Sequence, residues 1–491
     1  MQFIHLTPNA CYQAMKAHDT RFDGRFFVGV SSTRIYCRPI CRVRMPMQKN
    51  CGFYPSAAAA EAAGFRPCLK CRPELAPGFA ATEAGATLAR AAARMIEDGV
   101  ANDVDLVRVA ERVGVTDRHL RRIFAEEFGV SPVQYAQTHR LLLAKRLLTD
   151  TALPVADIAF ASGFSSVRRM NALFAERYRF SPTRLRKEGR EDRDSELDSL
   201  TFVLPYRPPY DWQRMLTFFE TRAVPGVETI ADGIYRRVIR VESATPIAGW
   251  LEVSHLPKRN ALQLRFTAVL AQATQSVLSR TKQVFDVAAD PQEISVALGE
   301  LADGAYGLRL PGAFDGFELA LRAILGQQVT VKAARTLATR FIDAFGEAIA
   351  TPFADLTRTF PTPSRVAQLT RDDIGRLGIV GQRAEAMIAI AQAVTSGTLI
   401  LNGSAEPSQT IDALREIKGI GPWTAHYIAM RALAWPDAWP PQDVALLNAM
   451  NLPNTAKGQR EADALAEAWR PWRSYAVLHT WRKLEKAKAE D

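Results

Sequence analysis

LREIKGIGPWTAHYIAM, residues 414–430, decides the fold of the larger part of this 491-residue chain. Two helical stretches are broken by Gly419-Ile420-Gly421, the core of a helix-hairpin-helix. Glycines there let the backbone come close to a DNA phosphate, whose charge meets peptide N–H groups at a helix start. Many DNA-binding proteins carry such a hairpin, so alone it points only to a DNA contact. Downstream, the Trp- and Pro-rich stretch AWPDAWPPQDVALL (434–447) places an acid, Asp443, about twenty positions further on. Six of the eight tryptophans lie from Trp423 onward. Upstream, helical text broken by Gly and Pro reaches back to about Asp286. Before it, LTFVLPYRPPYDW (200–212), YRRVIRV (235–241), IAGWLEVSH (247–255) and ALQLRFTAV (261–269) alternate apolar with polar residues. These are strand signals for a small antiparallel sheet.

Further toward the N-terminus, KEGREDRDSELDS (187–199) is charged and aperiodic, the text of a linker. Ahead of it a unit is written twice. GVTDRHLRRIFAEEFGVSP begins at Gly114 and GFSSVRRMNALFAERYRFSP at Gly163. Each follows a short helix (LVRVAERV, VADIAFAS) and shows a Gly turn, a Ser/Thr cap, an Arg-studded helix and a closing Ser-Pro. That is helix-turn-helix grammar. HRLLLAKRLL (139–148) reads as the connecting helix, and ATLARAAARMIEDG predicts another from about Thr82 to Gly99. All six cysteines lie before residue 72. Cys37-x3-Cys41 and Cys68-x2-Cys71 form two close pairs, the spacing of a closed tetrahedral zinc site. Arg34, Arg38, Arg42, Arg44, Arg66 and Arg72 surround them, as phosphate recognition would require. Cys11 and Cys51 have no such partner and read as small core residues.

The composition agrees with several folded domains. Hydrophobic residues are 47% and charged residues 23%, which excludes wholesale disorder. The formal charge of +10 favours polyanionic partners, nucleic acid above all. No apolar run approaches the ~18 residues of a membrane span, and the first residues lack the pattern of an export signal. The expectation is a cytoplasmic protein with no membrane partner. The fold class expected is multidomain and mainly α with α+β parts: a zinc domain (1–78), a double helix-turn-helix (82–187), a linker (188–199), an α+β domain (200–285) and a helix-hairpin-helix domain (286–491).

RIYCRPICRVR (34–44) followed by GFRPCLKCRPE (64–74) resembles the N-terminal zinc domain of the Ada response proteins. The resemblance implies one zinc ion on Cys37, Cys41, Cys68 and Cys71. It implies that Cys37 is also the nucleophile that takes methyl from an alkylated DNA phosphotriester, and that Thr33, Arg44 and Lys70 contact DNA. A thiolate is the attacking species, so a metal that keeps the thiol deprotonated suits the chemistry. That family's second methyl-acceptor domain, with its Pro-Cys-His motif, has no counterpart after Cys71, so direct O6-methylguanine repair is not expected.

Residues 82–187 resemble the AraC-type DNA-binding domain. The resemblance puts Arg118, His119, Arg121 and Arg122 on one recognition helix and Ser165, Ser166, Arg168, Arg169 and Asn171 on the other, where such helices read the major groove. A solvated basic face is the bland reading of either run alone.

Residues from about 200 to 485 resemble the AlkA-type 3-methyladenine glycosylase II proteins, on RPPYDW (207–212), RLPG (309–312), RAILGQ (322–327), PWRSYA (471–476) and LHTW (478–481). The resemblance implies release of N-alkylated purines from double-stranded DNA, with Asp443 as the catalytic carboxylate and Trp423, Tyr427 and Trp481 as the base pocket. Asp437 is the competing acid, and a helix cap is the bland reading of Asp443. Gln442 stands where the family often has a second acid. Trp423 occupies the place of the Schiff-base lysine of lyase-type relatives, so a monofunctional hydrolase is expected. Gln327 matches the family's DNA-facing loop, while Gln328 replaces a leucine wedge; Gly419 and Gly421 complete the DNA contacts. RNA polymerase is a further expected partner and the monomer the expected state. The rival reading is a regulator whose glycosylase part is a non-catalytic DNA clamp.

Overall fold

The computed structural model describes residues 6–77, 88–97, 106–113, 115–188, 198–241 and 246–490. Thr82, Gly99, Gly114 and most of the linker 188–199 lie outside them. The chain divides into two compact units, residues 1–208 with 256–279, and residues 209–255 with 280–491. The stretch 200–285 therefore contributes to both.

In the first unit, the β-rich strings FVGV and IYC form strands Phe27–Val30 and Ile35–Cys37, joined by a tight turn. The sheet order is Cys51–Tyr54, Phe27–Val30, Ile35–Cys37, Arg66–Pro67. Its last pair is parallel, with Tyr36 opposite Pro67. That register carries the chain directly into Cys37 on one strand and Cys68 on the other. Sequence periodicity did not reveal this sheet, because its strands are only two to four residues long.

The duplicated text folds as a duplicated structure. Helix Asp117–Phe128 is capped by Thr116 and buries Leu120, Phe124 and Phe128. Helix Val167–Tyr178 is capped by Ser166 and buries Met170, Phe174 and Tyr178 at the equivalent positions. The spacing of four puts each triplet on one stripe. Their C-caps, Gly129 and Arg179, are both left-handed (φ 71° and 63°). One expectation is corrected. Ser131-Pro132 does not close the first unit but opens the next helix, Pro132–Asp150, where Ser131 and Gln134 form a capping box and Pro132 takes the first turn. Proline's missing N–H costs nothing there.

That connecting helix is packed against the zinc domain. Lys145, 1% exposed, meets Glu74 at 2.5 Å. Arg72, next to Cys71, bonds Asp150 at 2.8 Å. Buried Glu61 accepts from Tyr36 (3.1 Å), Thr138 (3.0 Å) and Tyr178 (3.1 Å). The same unit holds Ser199–Pro205 antiparallel to Ala261–Thr267.

In the second unit, Glu228–Ala231, Ile234–Val241 and Ile247–Leu256 make an antiparallel meander. The first of these and helix Trp212–Glu220 were not read from sequence. The core is helical. Gly316–Leu325, Gly381–Thr395 and Pro422–Ala432 supply most of one cluster that includes Leu321, Ile324, Met387, Ile390, Ala425 and Ile428. No helix among the described residues is long and apolar enough to cross a membrane.

Candidate functional sites

The four cysteines converge. Sγ atoms of Cys37, Cys41, Cys68 and Cys71 all lie within 4.8 Å of one another. A tetrahedron of Zn–S bonds of roughly 2.3 Å has edges of roughly 3.8 Å, so the donor set fits one zinc. Thiols this close contend for protons: bonding to Cys41, Cys68 and Cys71 pushes the Cys37 thiol up, while bonding to Cys37 and Cys41 pulls Cys68 down. A divalent cation resolves that contest by holding all four as thiolates. Arg38 is buried beneath the site, paired with Asp23 and donating to the Cys71 carbonyl at 3.2 Å. It therefore supports the site from inside. Thr33, Arg44 and Lys70 are exposed, as a DNA contact demands. Cys11 is core as expected, and burial pushes its thiol up to about 11. Cys51 is half-buried and donates to the Met47 carbonyl.

On the helix-turn-helix pair, Arg118, Arg121, Arg122, Ser165, Arg168, Arg169 and Asn171 are exposed, with His119 and Ser166 half-buried. Arg121 pairs with Asp117 at 3.0 Å and Arg122 with Glu126 at 2.8 Å along their own helix. Exposed pairs of this kind contribute little and can open toward a phosphate.

The hairpin lies between helices Pro407–Glu416 and Pro422–Ala432. Gly419 has φ +97°, a conformation other residues rarely adopt. Gly421 is the exposed cap of the second helix, with φ −84° and open space where a Cβ would stand. Gln327 donates its amide to the Gly419 carbonyl (3.0 Å) and to Thr424 (3.1 Å). Its nitrogen is thus committed to holding the hairpin. Gln328 is exposed and left-handed, φ 52°.

Trp423 and Tyr427 stack, centroids 5.1 Å apart and planes within 10°. Asp443 sits against that pair and is 6% exposed. One carboxylate oxygen accepts from the Leu446 N–H at 2.9 Å, making Asp443 the cap of helix Val444–Ala449. The other accepts from the Trp423 indole N–H at 2.8 Å. The same side chain thus caps a helix and holds one ring of the stacked pair. Asp437 is differently placed: Arg473 grips it through Nε and one Nη (2.7 and 2.9 Å) and Arg470 at 2.5 Å, so its charge is spent on structure. Trp481 is half-buried on the last helix and makes no ring contact with Trp423 or Tyr427 among the described residues. Trp472 is core, and Trp469 is half-buried, its ring 6.0 Å from Trp439.

Arg431 is the site residue that sequence reading missed. It is buried and donates to the Tyr427 hydroxyl at 2.9 Å. The available signal was its spacing, four after Tyr427 and eight after Trp423 on one helix.

Family models cover most of the chain. The metal binding domain of Ada matches residues 10–74, a helix-turn-helix domain 109–188, the AlkA N-terminal domain 201–315, and the HhH-GPD superfamily of base excision DNA repair proteins 321–474. A probable bifunctional transcriptional activator/DNA repair enzyme AlkA of Mycobacterium tuberculosis is 34% identical over 484 residues, covering 97% of this chain and 96% of that protein. DNA-3-methyladenine glycosylase 2 of Escherichia coli is 37% identical over 57% of this chain and 96% of its own. Among solved structures, a 3-methyladenine DNA-glycosylase from Archaeoglobus fulgidus aligns over 57% of this chain and 97% of its own at 18% identity, with a TM-score of 0.48.

Proposed function

The chain belongs to the family of bifunctional AlkA-type transcriptional activator/DNA repair enzymes, and from that premise we propose how its residues divide the work. The protein acts in DNA alkylation repair and transcription regulation, binds DNA and zinc, and has glycosylase activity. In the proposal, residues 286–491 with 200–285 form a monofunctional DNA-3-methyladenine glycosylase II. Residues 1–78 form a methyl acceptor carrying one zinc ion, and residues 82–187, set off by the linker 188–199, read an operator.

Release of the base requires that it leave the stack. The stacked faces of Trp423 and Tyr427 receive it, and an N-alkylated purine, being cationic, gains roughly 0.5–2 kcal/mol per ring. Trp481 serves as a third wall. As the N-glycosidic bond breaks, its electron pair leaves with the base and positive charge develops on the sugar. The Asp443 carboxylate, held by two N–H donors, stabilises that charge. Water then completes the hydrolysis and leaves an abasic site. Gly419 and Gly421 hold the duplex, Gln327 fixes the hairpin that carries them, and Gln328 fills the gap. The observation that carries this reading is the Asp443 carboxylate bonded to one ring of the stacked pair, while Asp437 is neutralised by arginines. It favours a working enzyme over a non-catalytic clamp. Asp443→Asn keeps the cap and the DNA contacts, so it should bind alkylated DNA normally and release no base. More than about a tenth of the wild-type rate would overturn the assignment.

Zinc held by Cys37, Cys41, Cys68 and Cys71 would keep the Cys37 sulfur a thiolate. The Cys37 Sγ forms a bond to the methyl carbon of a phosphotriester as the C–O bond breaks, and the phosphodiester anion leaves. Thr33, Arg44 and Lys70 hold that phosphate. The transfer removes one negative charge from a site of net charge about −2 and leaves the arginines less opposed. After screening, about 1–2 kcal/mol remains, or roughly tenfold in operator affinity. The assay is operator binding by the full chain before and after exposure to methyl-phosphotriester DNA, with Cys37→Ser as control. Equal affinities would remove the switch. Recruitment of RNA polymerase and action as a monomer complete the proposal.

A further inference from the structure

Helix Pro422–Ala432 carries Trp423, Tyr427 and Arg431 at intervals of four, one stripe on one face. Asp443 is bonded to Trp423 at the start of that stripe and Arg431 to Tyr427 at its far end. Arg431 is held from three sides. Its Nε donates to the Pro311 carbonyl at 2.9 Å, one Nη to the Gly312 carbonyl at 2.9 Å, and the other Nη to the Tyr427 hydroxyl at 2.9 Å. The two carbonyls belong to the RLPG segment. A Cβ on Gly312 would stand 2.9 Å from the backbone of Gln283 and Val284, so glycine is what lets that segment come this close. The guanidinium also lies over the rings of Phe218 (4.7 Å) and Tyr427 (5.7 Å). Among the described residues no carboxylate lies within ion-pair distance of Arg431, and its bonds go to two carbonyls and the phenol. Burial pushes the Tyr427 hydroxyl up, but the charges of Arg431 and Arg222 outweigh it and leave the group below the ordinary tyrosine value.

A phenol has one proton to give and lone pairs to receive. Guanidinium can only donate, so the Tyr427–Arg431 bond fixes the hydroxyl as its acceptor. We propose that Arg431 is a positioning residue for base selection: by occupying the acceptor side of the Tyr427 hydroxyl it leaves that hydroxyl's proton free for the extruded base, giving the pocket a donor for uncharged bases that carry a ring-edge acceptor. Cationic bases are drawn by the ring faces and do not need the donor. Uncharged bases lack that attraction and depend on it. The inference rests on the reading of Trp423 and Tyr427 as the pocket.

The test is single-turnover base release by the full chain from two duplexes, one carrying cationic 7-methylguanine and one carrying neutral hypoxanthine. Tyr427→Phe leaves Arg431 and the stack in place; Arg431→Met removes the guanidinium; Arg431→Lys restores charge with fewer donors. Arg431→Met should slow release of the neutral base about tenfold and change release of the cationic base less than threefold, and Tyr427→Phe should slow the neutral base several-fold more than the cationic one. The double variant should be no slower than the single ones, and Arg431→Lys should recover part of the loss. Equal losses on both substrates would reduce Arg431 to a fold-supporting residue and overturn the proposal. So would a wild-type protein that releases the cationic base but not the neutral one, or a Tyr427→Phe variant unchanged on the neutral base. Trp423→Ala separates the underlying reading: unchanged release of both bases in that variant would remove the pocket itself.

Discussion

The indole N–H of Trp423 touches the carboxylate proposed to carry the reaction, and replacing that one group tests the site at its centre. The bond is 2.8 Å long and its acceptor oxygen belongs to a side chain 6% exposed. Hydrogen bonds to charged groups contribute about 1.5–3 kcal/mol. If the bond holds the Asp443 carboxylate in its working orientation, losing it slows base release roughly 10- to 150-fold. Trp423→Phe removes the N–H but also shrinks the stacking face. A tryptophan analogue with sulfur in place of the N–H keeps the two-ring face and removes the bond alone. The assay is single-turnover release of methylated base from alkylated DNA, with DNA affinity measured in parallel. Both substitutions should lower the chemical rate by that factor, the phenylalanine variant by somewhat more, with affinity nearly unchanged. An analogue that retains more than half the wild-type rate would show that the bond does not orient Asp443 and leave Trp423 only a stacking surface.

The two hairpin glycines should separate fold from function: Gly419→Ala, forced to φ +97°, should cost about 1–3 kcal/mol in a urea titration. Gly421→Asp should fold as well as wild type, because aspartate is a good cap and the space is open, yet bind DNA much more weakly through charge repulsion. Burial pushes the Glu61 carboxyl up to about 7 against three hydroxyl bonds that pull it down. A folded pKa raised above the unfolded one gives stability that is present at low pH and lost as pH rises through about 7. Glu61→Gln should therefore gain up to about 3 kcal/mol relative to wild type between pH 5 and pH 8, read as hydrogen-exchange protection of Ile35–Cys37; a gap that does not widen with pH would contradict this. Finally, wild-type protein should nick alkylated DNA only after added base or an abasic-site enzyme, and borohydride should trap no covalent adduct, since Trp423 cannot form a Schiff base.

The parts are written in local signals. Four cysteines in two close pairs require a metal in a segment too small for a large core. The duplicated Arg-studded text requires two equivalent helices, because matching caps and apolar spacing act locally. Gly-Ile-Gly between helical stretches requires the hairpin for the same reason. Tertiary structure decided what those parts touch. A two-residue parallel pairing, too short for any periodic signal, sets Cys37 beside Cys68. Glu61 looks like a surface acid in an alanine run, yet hydroxyls from three elements, up to 117 positions away in sequence, close over it. Asp437 and Asp443 sit six apart in one Pro-rich stretch, and nothing local separates them. Only the arrival of Arg470 and Arg473 at the first and of the Trp423 indole at the second gives them different surroundings. Caps and periodicity are enforced by neighbours within one or two turns, so they are legible in the text. A side chain's charge state and orientation are enforced by groups that meet only when the chain has folded.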